Sequence, residues 1–196
     1  MKIYDISQEV FSCAVYPGDS APEKQTLYST EEGDLYNLTA FAMCAHNGTH
    51  IDAPFHFLSN GKTVEKMELT HFVGDCFVAH HQGDVTAQDA EIILDRACGA
   101  QRILIAGEAT VTSEAAEVFA RSSIKLLGNE GQTVGPEDAP MQVHLILLKQ
   151  EIVLLEGIVL KDIPEGHYFL SAAPLNLGGA DGAPCRAYLI DWEKNG

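Results

Sequence analysis

Apolar and polar positions follow two different periods along this chain. Over residues 86–97, Ala87, Ala90, Ile93, Leu94 and Ala97 recur at three- and four-residue intervals. That spacing predicts a helix with one buried face and Thr86 as its N-cap. Residues 113–121 predict a second helix, capped by Ser113, with Glu114 and Glu117 near its positive N-terminal end. Residues 143–150 predict a short third one. Apolar runs predict strands over 2–6, 38–44, 72–79, 102–105, 124–127, 152–160, 168–172 and 186–190. Tyr16-Pro17-Gly18-Asp19 carries turn chemistry, since Pro presets φ and Gly accepts a positive one. Strands and helices mix without strict alternation, which predicts an α/β fold with a mixed sheet. No linker, low-complexity tract or repeat divides the chain, so a single domain over residues 1–196 is expected.

Composition narrows the partners. The 196 residues are 46% hydrophobic and 20% charged, a globular balance with enough chain for one real core. The 28 acidic residues exceed the 12 basic ones, giving a formal charge of −16. Such a surface repels phosphate, which argues against nucleic acid and anionic membranes as partners. Asp5 and Glu9 interrupt the start where a signal peptide needs an apolar run. The apolar stretches 145–148 and 152–155 are separated by Lys149, Gln150 and Glu151, and neither reaches the roughly 20 residues of a membrane span. The five cysteines are scattered and never spaced as CxxC. They predict buried apolar thiols in a reducing cytoplasm, not a disulfide framework or a zinc ribbon.

The histidines carry the chemistry. His46, His50, Asp52 and His56 all occupy even positions, with Asn47, Thr49, Ile51, Ala53 and Phe55 between them. In an extended chain the even set faces one side. His46 and His50 would stand roughly 13 Å apart if fully extended, at about 3.3 Å per residue. To share an ion, the chain must bend between them, and Asn47-Gly48 is suited to that. Gly48, the β-branched Thr49 and Ile51, and Pro54 all disfavour a helix, and the HExxH zincin pattern is absent because Asn47 follows His46. Three structural histidines with a turn aspartate is the alternative reading. Imidazole and carboxylate in one register favour a metal site for Zn²⁺, Mn²⁺ or Fe²⁺, with no cysteine in register to make a thiolate site.

The segment His46-Asn47-Gly48-Thr49-His50-Ile51-Asp52-Ala53-Pro54-Phe55-His56-Phe57 resembles the HxGTHxDxPxHF signature of the metal-dependent cyclase family, which includes arylformamidases and isatin hydrolases. Asp5-Ile6-Ser7, Tyr16-Pro17-Gly18-Asp19, Gly61-Lys62-Thr63-Val64 and Asp181-Gly182-Ala183-Pro184-Cys185-Arg186 resemble further segments of that family. So does His144 followed by Leu155-Glu156-Gly157. The resemblance implies the family's swivelling β/β/α fold and two divalent ions, Zn or Mn, per subunit. By the same resemblance, His46, His50 and Asp52 hold the first ion, with Asp52 bridging to the second. His144 and Glu156 complete the second site. His56 is the proton-transfer residue, and Tyr16 stands where formamidases place a substrate-contacting tryptophan. Two departures stand out. Tyr16 offers a smaller aromatic shelf, and the segment from Gly128 to Gly135 carries Glu130 and Gly135 where the family has aspartates.

The expected activity is hydrolysis of a C–N amide bond, in a formamide, cyclic imide or lactam, by metal-activated water, with His56 supplying the leaving nitrogen with a proton. The alternative is a non-catalytic, metal-containing binding protein whose altered acidic loop disabled turnover. A small-molecule substrate and a homodimer or higher homo-oligomer are the expected partners. The remaining histidines read differently: His71 as loop, His80 and His81 as surface, His167 as turn.

Overall fold

A computed structural model describes residues 1–192; the last four residues of the expected domain lie outside the described residues. The strands are β1 (Lys2–Asp5), β2 (Glu23–Tyr28), β3 (Leu38–Ala42), β4 (His50–Asp52), β5 (Val73–His80), β6 (Gly83–Val85), β7 (Arg102–Ala106), β8 (Ala109–Val111), β9 (Leu126–Asn129), β10 (Val153–Glu156), β11 (Gly166–Ser171), β12 (Gly182–Pro184) and β13 (Tyr188–Asp191). The helices are α1 (Leu69–Phe72), α2 (Ala87–Arg96), α3 (Ser113–Ala120) and α4 (Met141–Leu148). Among the described residues one mixed sheet runs in the order β1-β13-β11-β5-β7-β9-β10-β4-β12. Its centre, β5-β7-β9-β10, is parallel, and the strands flanking it pair antiparallel.

Both faces of the central strands are apolar, as expected for parallel strands buried on two sides. Phe77, Ile103, Leu127 and Leu154 face the helices, against Ala90 and Ile93 of α2, Ala115, Ala116 and Phe119 of α3, and Val143 and Leu147 of α4. Their neighbours Val78, Leu104, Leu126 and Leu155 face the other way, into a core closed by Ile51, Leu170, Ala183 and Leu189 of the curled sheet itself. This is a single α/β domain with a large mixed sheet, as the patterning predicts.

The element boundaries differ in instructive places. The strand predicted over 124–127 sits two residues later, because Gly128 belongs to it: a Cβ there would stand 2.7 Å from Leu155 O. The strand predicted over 152–160 stops at Glu156, because Gly157 turns into left-handed backbone at φ +65°. Thr86 caps α2 through a capping box, but α3 is capped by Thr112 and not by Ser113. His71 lies on α1, not in a loop, and His167 lies within β11, not in a turn. Of the cysteines only Cys76 is buried; Cys13, Cys44 and Cys185 are half-buried, and Cys98 is exposed. No described helix is long and apolar enough to cross a membrane.

Candidate active site

The site is assembled on β4, which lies between β10 and β12. Alternation sends Ile51 into the core and leaves His50 and Asp52 together on the other side of the strand. In the antiparallel pairing with β10, Glu156 sits directly opposite His50. Residues directly opposite in such a pair bring their side chains side by side, so topology alone delivers the second carboxylate. Gly48, at φ +64°, makes the bend that alternation demands, and the His46 and His50 ring centroids come within 5.0 Å. Gly157 packs against this bend: a Cβ there would stand 2.4 Å from Gly48 O, and Gly157 O accepts from Thr49 Oγ1 at 2.6 Å. Pro54 then opens a 3₁₀ turn over Pro54–His56 that folds His56 back, its ring 4.1 Å from that of His46. His144 comes from the first half of α4.

Asp52 is the hub. Its Oδ1 lies 2.8 Å from His46 Nδ1 and 3.4 Å from His50 Nε2. Its Oδ2 stands 3.5 Å from His144 Nε2 and 4.0 Å from His56 Nε2 and has no hydrogen-bond partner, although it is buried. Glu156 lies 3.6 Å from His50 Nε2 and 3.3 Å from His144 Nε2, and it accepts the Val134 N–H at 2.8 Å. His50 Nδ1 donates to Gly48 O and His144 Nδ1 donates to Pro140 O, both at 2.9 Å. Those carbonyls turn each Nε2 toward the carboxylates, the usual way a ligand histidine is oriented.

Burial alone would lower the pKa of these imidazoles. Hydrogen bonds and charge from Asp52 outweigh it, holding His46 at about 10 and, with Glu156, His144 at about 10; His50 is raised too. Burial pushes the Asp52 carboxyl up, but the facing imidazoles of His144, His46 and His50 keep it well below the carboxylate range. Positive charge is therefore what this cavity stabilises.

The donor atoms fit a metal. Two groups can each place one ligand atom per residue within 4.8 Å of the others: His46, Asp52 and His56, and His50, Asp52 and Glu156. Asp52 belongs to both, and its unpartnered buried Oδ2 is an oxygen that a cation satisfies. His144 flanks the second group without joining it. Tyr16 is not gathered in: it is half-buried, and its hydroxyl donates to Glu137 O at 3.3 Å. Glu130, at a departure from the family pattern, braces two loops by accepting from Gly107 N at 2.7 Å and Leu160 N at 2.8 Å. A depression of about 1310 Å³ opens nearby, at the ends of β5, β7 and β9; its wall includes Thr133 and Gly135, on either side of the Val134 that bonds Glu156.

One site residue had no function assigned from the sequence. Asp181 Oδ2 lies 2.8 Å from His46 Nε2 and 3.1 Å from His56 Nδ1. Its segment is conspicuous in the sequence, but nothing local ties it to His56, 125 residues away.

This fold with this donor set defines a metal-dependent hydrolase. The chain belongs to the putative cyclase family, whose model matches residues 4–136. A kynurenine formamidase of Erythrobacter litoralis is 32% identical over 202 residues, covering 96% of this chain and 93% of that protein. One from Bacillus anthracis is also 32% identical, covering 96% and 97%. Among solved structures, a potential metal-dependent hydrolase with cyclase activity superposes with a TM-score of 0.81 at 28% identity, covering 96% of both chains. Isatin hydrolase A from Labrenzia aggregata shares the fold, with a TM-score of 0.83 at 18% identity over 96% of this chain and 93% of its own.

Proposed function

We propose that the chain, as one unit over residues 1–196, hydrolyses the C–N bond of a small formamide, cyclic imide or lactam with two divalent ions, Zn or Mn. The observation that carries this is Asp52, shared by two donor groups and left with an unpartnered buried oxygen. His46, His50, Asp52, His144 and Glu156 are assigned as the ligands. Bound there, divalent ions supply Lewis acidity and a nucleophilic water near neutral pH. His56 is assigned to proton transfer. Its side chain is 28% exposed, against 3% for His50 and His144, so it can reach both substrate and solvent. Its Nε2 points toward the cluster, where the departing nitrogen requires a proton. Tyr16 is assigned to the substrate wall. The arylformamidase-like reading follows from the named relatives at 32% identity. Glu130 works as a loop brace, so the altered acidic loop leaves the donor set intact and does not favour a binding-only protein.

The same reading places the protein in the cytoplasm as a homodimer or higher homo-oligomer. The β2–β3 hairpin supports assembly: among the described residues it pairs with no other strand, and it exposes Leu27, Tyr28, Leu38 and Phe41. A lone hairpin is marginal in water without a surface to cover it. Light scattering tests the assembly. Release of formate or ammonia from a panel of amides and imides tests the activity, before chelation, after it and after metal is restored. No release from any member, with the metal content shown to be full, would overturn the hydrolase reading.

A further inference from the structure

The backbone around Asp181 is bolted to the segment that bears the cluster. Asp181 O accepts the Ala53 N–H at 2.9 Å, and Ala180 O accepts that of Val64 at 2.9 Å. Gly182, next along, is paired with Asp52 across β12 and β4. A Cβ on Gly182 would stand 2.7 Å from His46 Cε1, so the chain passes directly against that ring. The backbone that carries Asp181 is therefore fixed beside the two imidazoles its carboxylate faces. One oxygen, Oδ2, accepts from His46 Nε2 and from His56 Nδ1. The two rings lie 4.1 Å apart and only 31° from parallel.

The geometry points to Asp181 as a positioning residue that fixes His56 with its proton on Nδ1 and its Nε2 facing the cluster. The inference rests on His56 being the proton-transfer group of the amide hydrolase proposed above. An imidazole with a free Nδ1 rotates about its side-chain bonds and exchanges tautomers, so only a fraction of molecules presents Nε2 correctly. A carboxylate on Nδ1 removes both freedoms, the same logic that operates where an aspartate orients a catalytic histidine. Asp181 remains an acceptor throughout. His56 Nε2 first takes a proton from the attacking water as the tetrahedral adduct forms; when the C–N bond breaks, that proton passes from Nε2 to the departing nitrogen, and none passes through Asp181. The shared oxygen also holds His46 by Nε2, so Nδ1, the atom 2.8 Å from Asp52, is the nitrogen His46 would offer to an ion. Asp181 thus sets the angle between a ligand and the proton carrier.

The test uses zinc-reconstituted protein carrying ¹⁵N-histidine, with Asp181→Ala and Asp181→Asn. Long-range proton–nitrogen spectra read the His56 tautomer, elemental analysis reads bound zinc, and steady-state kinetics read kcat and KM on an amide that the wild type cleaves. The wild type is expected to show one His56 tautomer, protonated at Nδ1. Asp181→Ala should show a tautomer mixture, retain its zinc at saturating metal, and lose roughly 10–100-fold in kcat with KM little changed, the usual scale for an orienting partner. Asp181→Asn keeps an acceptor oxygen and should recover part of the loss. An unchanged His56 tautomer in Asp181→Ala overturns the inference, whether or not a substrate has been found. Loss of zinc from Asp181→Ala as complete as from His46→Ala also overturns it, because Asp181 would then serve the metal and not His56. Failure of the wild type to cleave any amide, with the tautomer responding as expected, would instead count against the hydrolase reading.

Discussion

The eight histidines of this chain divide between two regions that treat imidazole differently. Around Asp52, His46, His50, His56 and His144 present ring nitrogens to buried or half-buried carboxylates. On the β5 side of the sheet, the other four are spent on local tasks. His71 donates Nδ1 to Glu68 O, His80 Nε2 to Ile163 O and His81 Nε2 to Asp84 O. His167 lies against Phe77, ring centroids 5.0 Å apart. A nearby carboxylate is not what separates the two sets. His81 has Asp89 at 4.0 Å, but that carboxylate is already committed to the capping box of α2. Asp52 is buried with an oxygen left over, and a buried acceptor without a partner is expensive enough to need an occupant. The distinguishing mark is a buried carboxylate with spare valence, faced by nitrogens whose other ring atom is already tied.

The largest effect should come from deleting the hub or a closed-in ligand. Asp52→Ala and His50→Ala should each strip metal, the first both ions and the second at least one, and abolish turnover. Asp52→Ala also strands buried imidazoles, a loss of about 3–5 kcal/mol for a broken buried pair. His80→Ala and His81→Ala should keep full metal. Elemental analysis of the four proteins decides it, and wild-type stoichiometry in His50→Ala would break the comparison.

Next in size is the separation of binding from chemistry within the first region. His56→Ala should keep its metal and lose roughly 10²–10⁴-fold in turnover, the usual worth of one general acid–base. If His56→Ala loses metal as readily as His50→Ala, His56 is a ligand, and the group it forms with His46 and Asp52 is a true coordination set.

A smaller, graded effect follows from pH. In the metal-free protein His46 and His144 hold protons up to about 10, against an unfolded value of 6.5. Their pairing with Asp52 therefore stabilises the fold fully below pH 6.5, and that contribution is lost as pH rises through about 10. Metal needs the same lone pairs, so loading releases protons and tightens over the same window. Tm of the metal-free protein should fall from pH 7 to pH 10 while the gain in Tm on adding zinc grows. Parallel slopes for the two forms would mean that the imidazoles are not the titrating ligands. His71 is opposite in sign, since burial lowers its pKa, and should contribute no such slope.

What the sequence made legible follows from range. Residues 46–56 carry their own alternation, their own bend at Gly48 and their own stop at Pro54, so the segment can be read without its surroundings. Asp181 reaches His46 across 135 positions, and no local pattern encodes that. β6, β8 and β12 have three residues each, like β4, but no alternating stretch of greater length surrounds them to show a period. β2 reads Glu-Lys-Gln-Thr-Leu-Tyr, every residue of it exposed, so no buried face marks it as a strand. The helices and the parallel strands were legible because each buries a regular stripe, and they missed mainly where a glycine carried a strand onward or ended it.

The smallest expected effect lies at the edge of the first region, and it concerns selectivity. Tyr16 is half-buried, and its hydroxyl donates to Glu137 O at 3.3 Å, on the loop that also supplies Val134 to Glu156. Tyr buries less area than Trp, and its hydroxyl requires a partner when enclosed. Trp192, the only tryptophan in the chain, is exposed and offers no replacement shelf. The wild type should therefore prefer a smaller or more polar amide over a bulky aryl formamide. A pocket mismatch of one methylene is worth only about 1–3 kcal/mol, so weak turnover of N-formylkynurenine remains compatible. Tyr16→Trp should shift kcat/KM toward the aryl substrate and away from small formamides and imides, with metal content unchanged. Tyr16→Phe should loosen only the Glu137 contact, worth about 0.5–1.5 kcal/mol as a net hydrogen bond. If the wild type already favours the aryl formamide and Tyr16→Trp changes nothing, Tyr16 lies outside the substrate wall, and the carbonyl of Glu137 is its whole function.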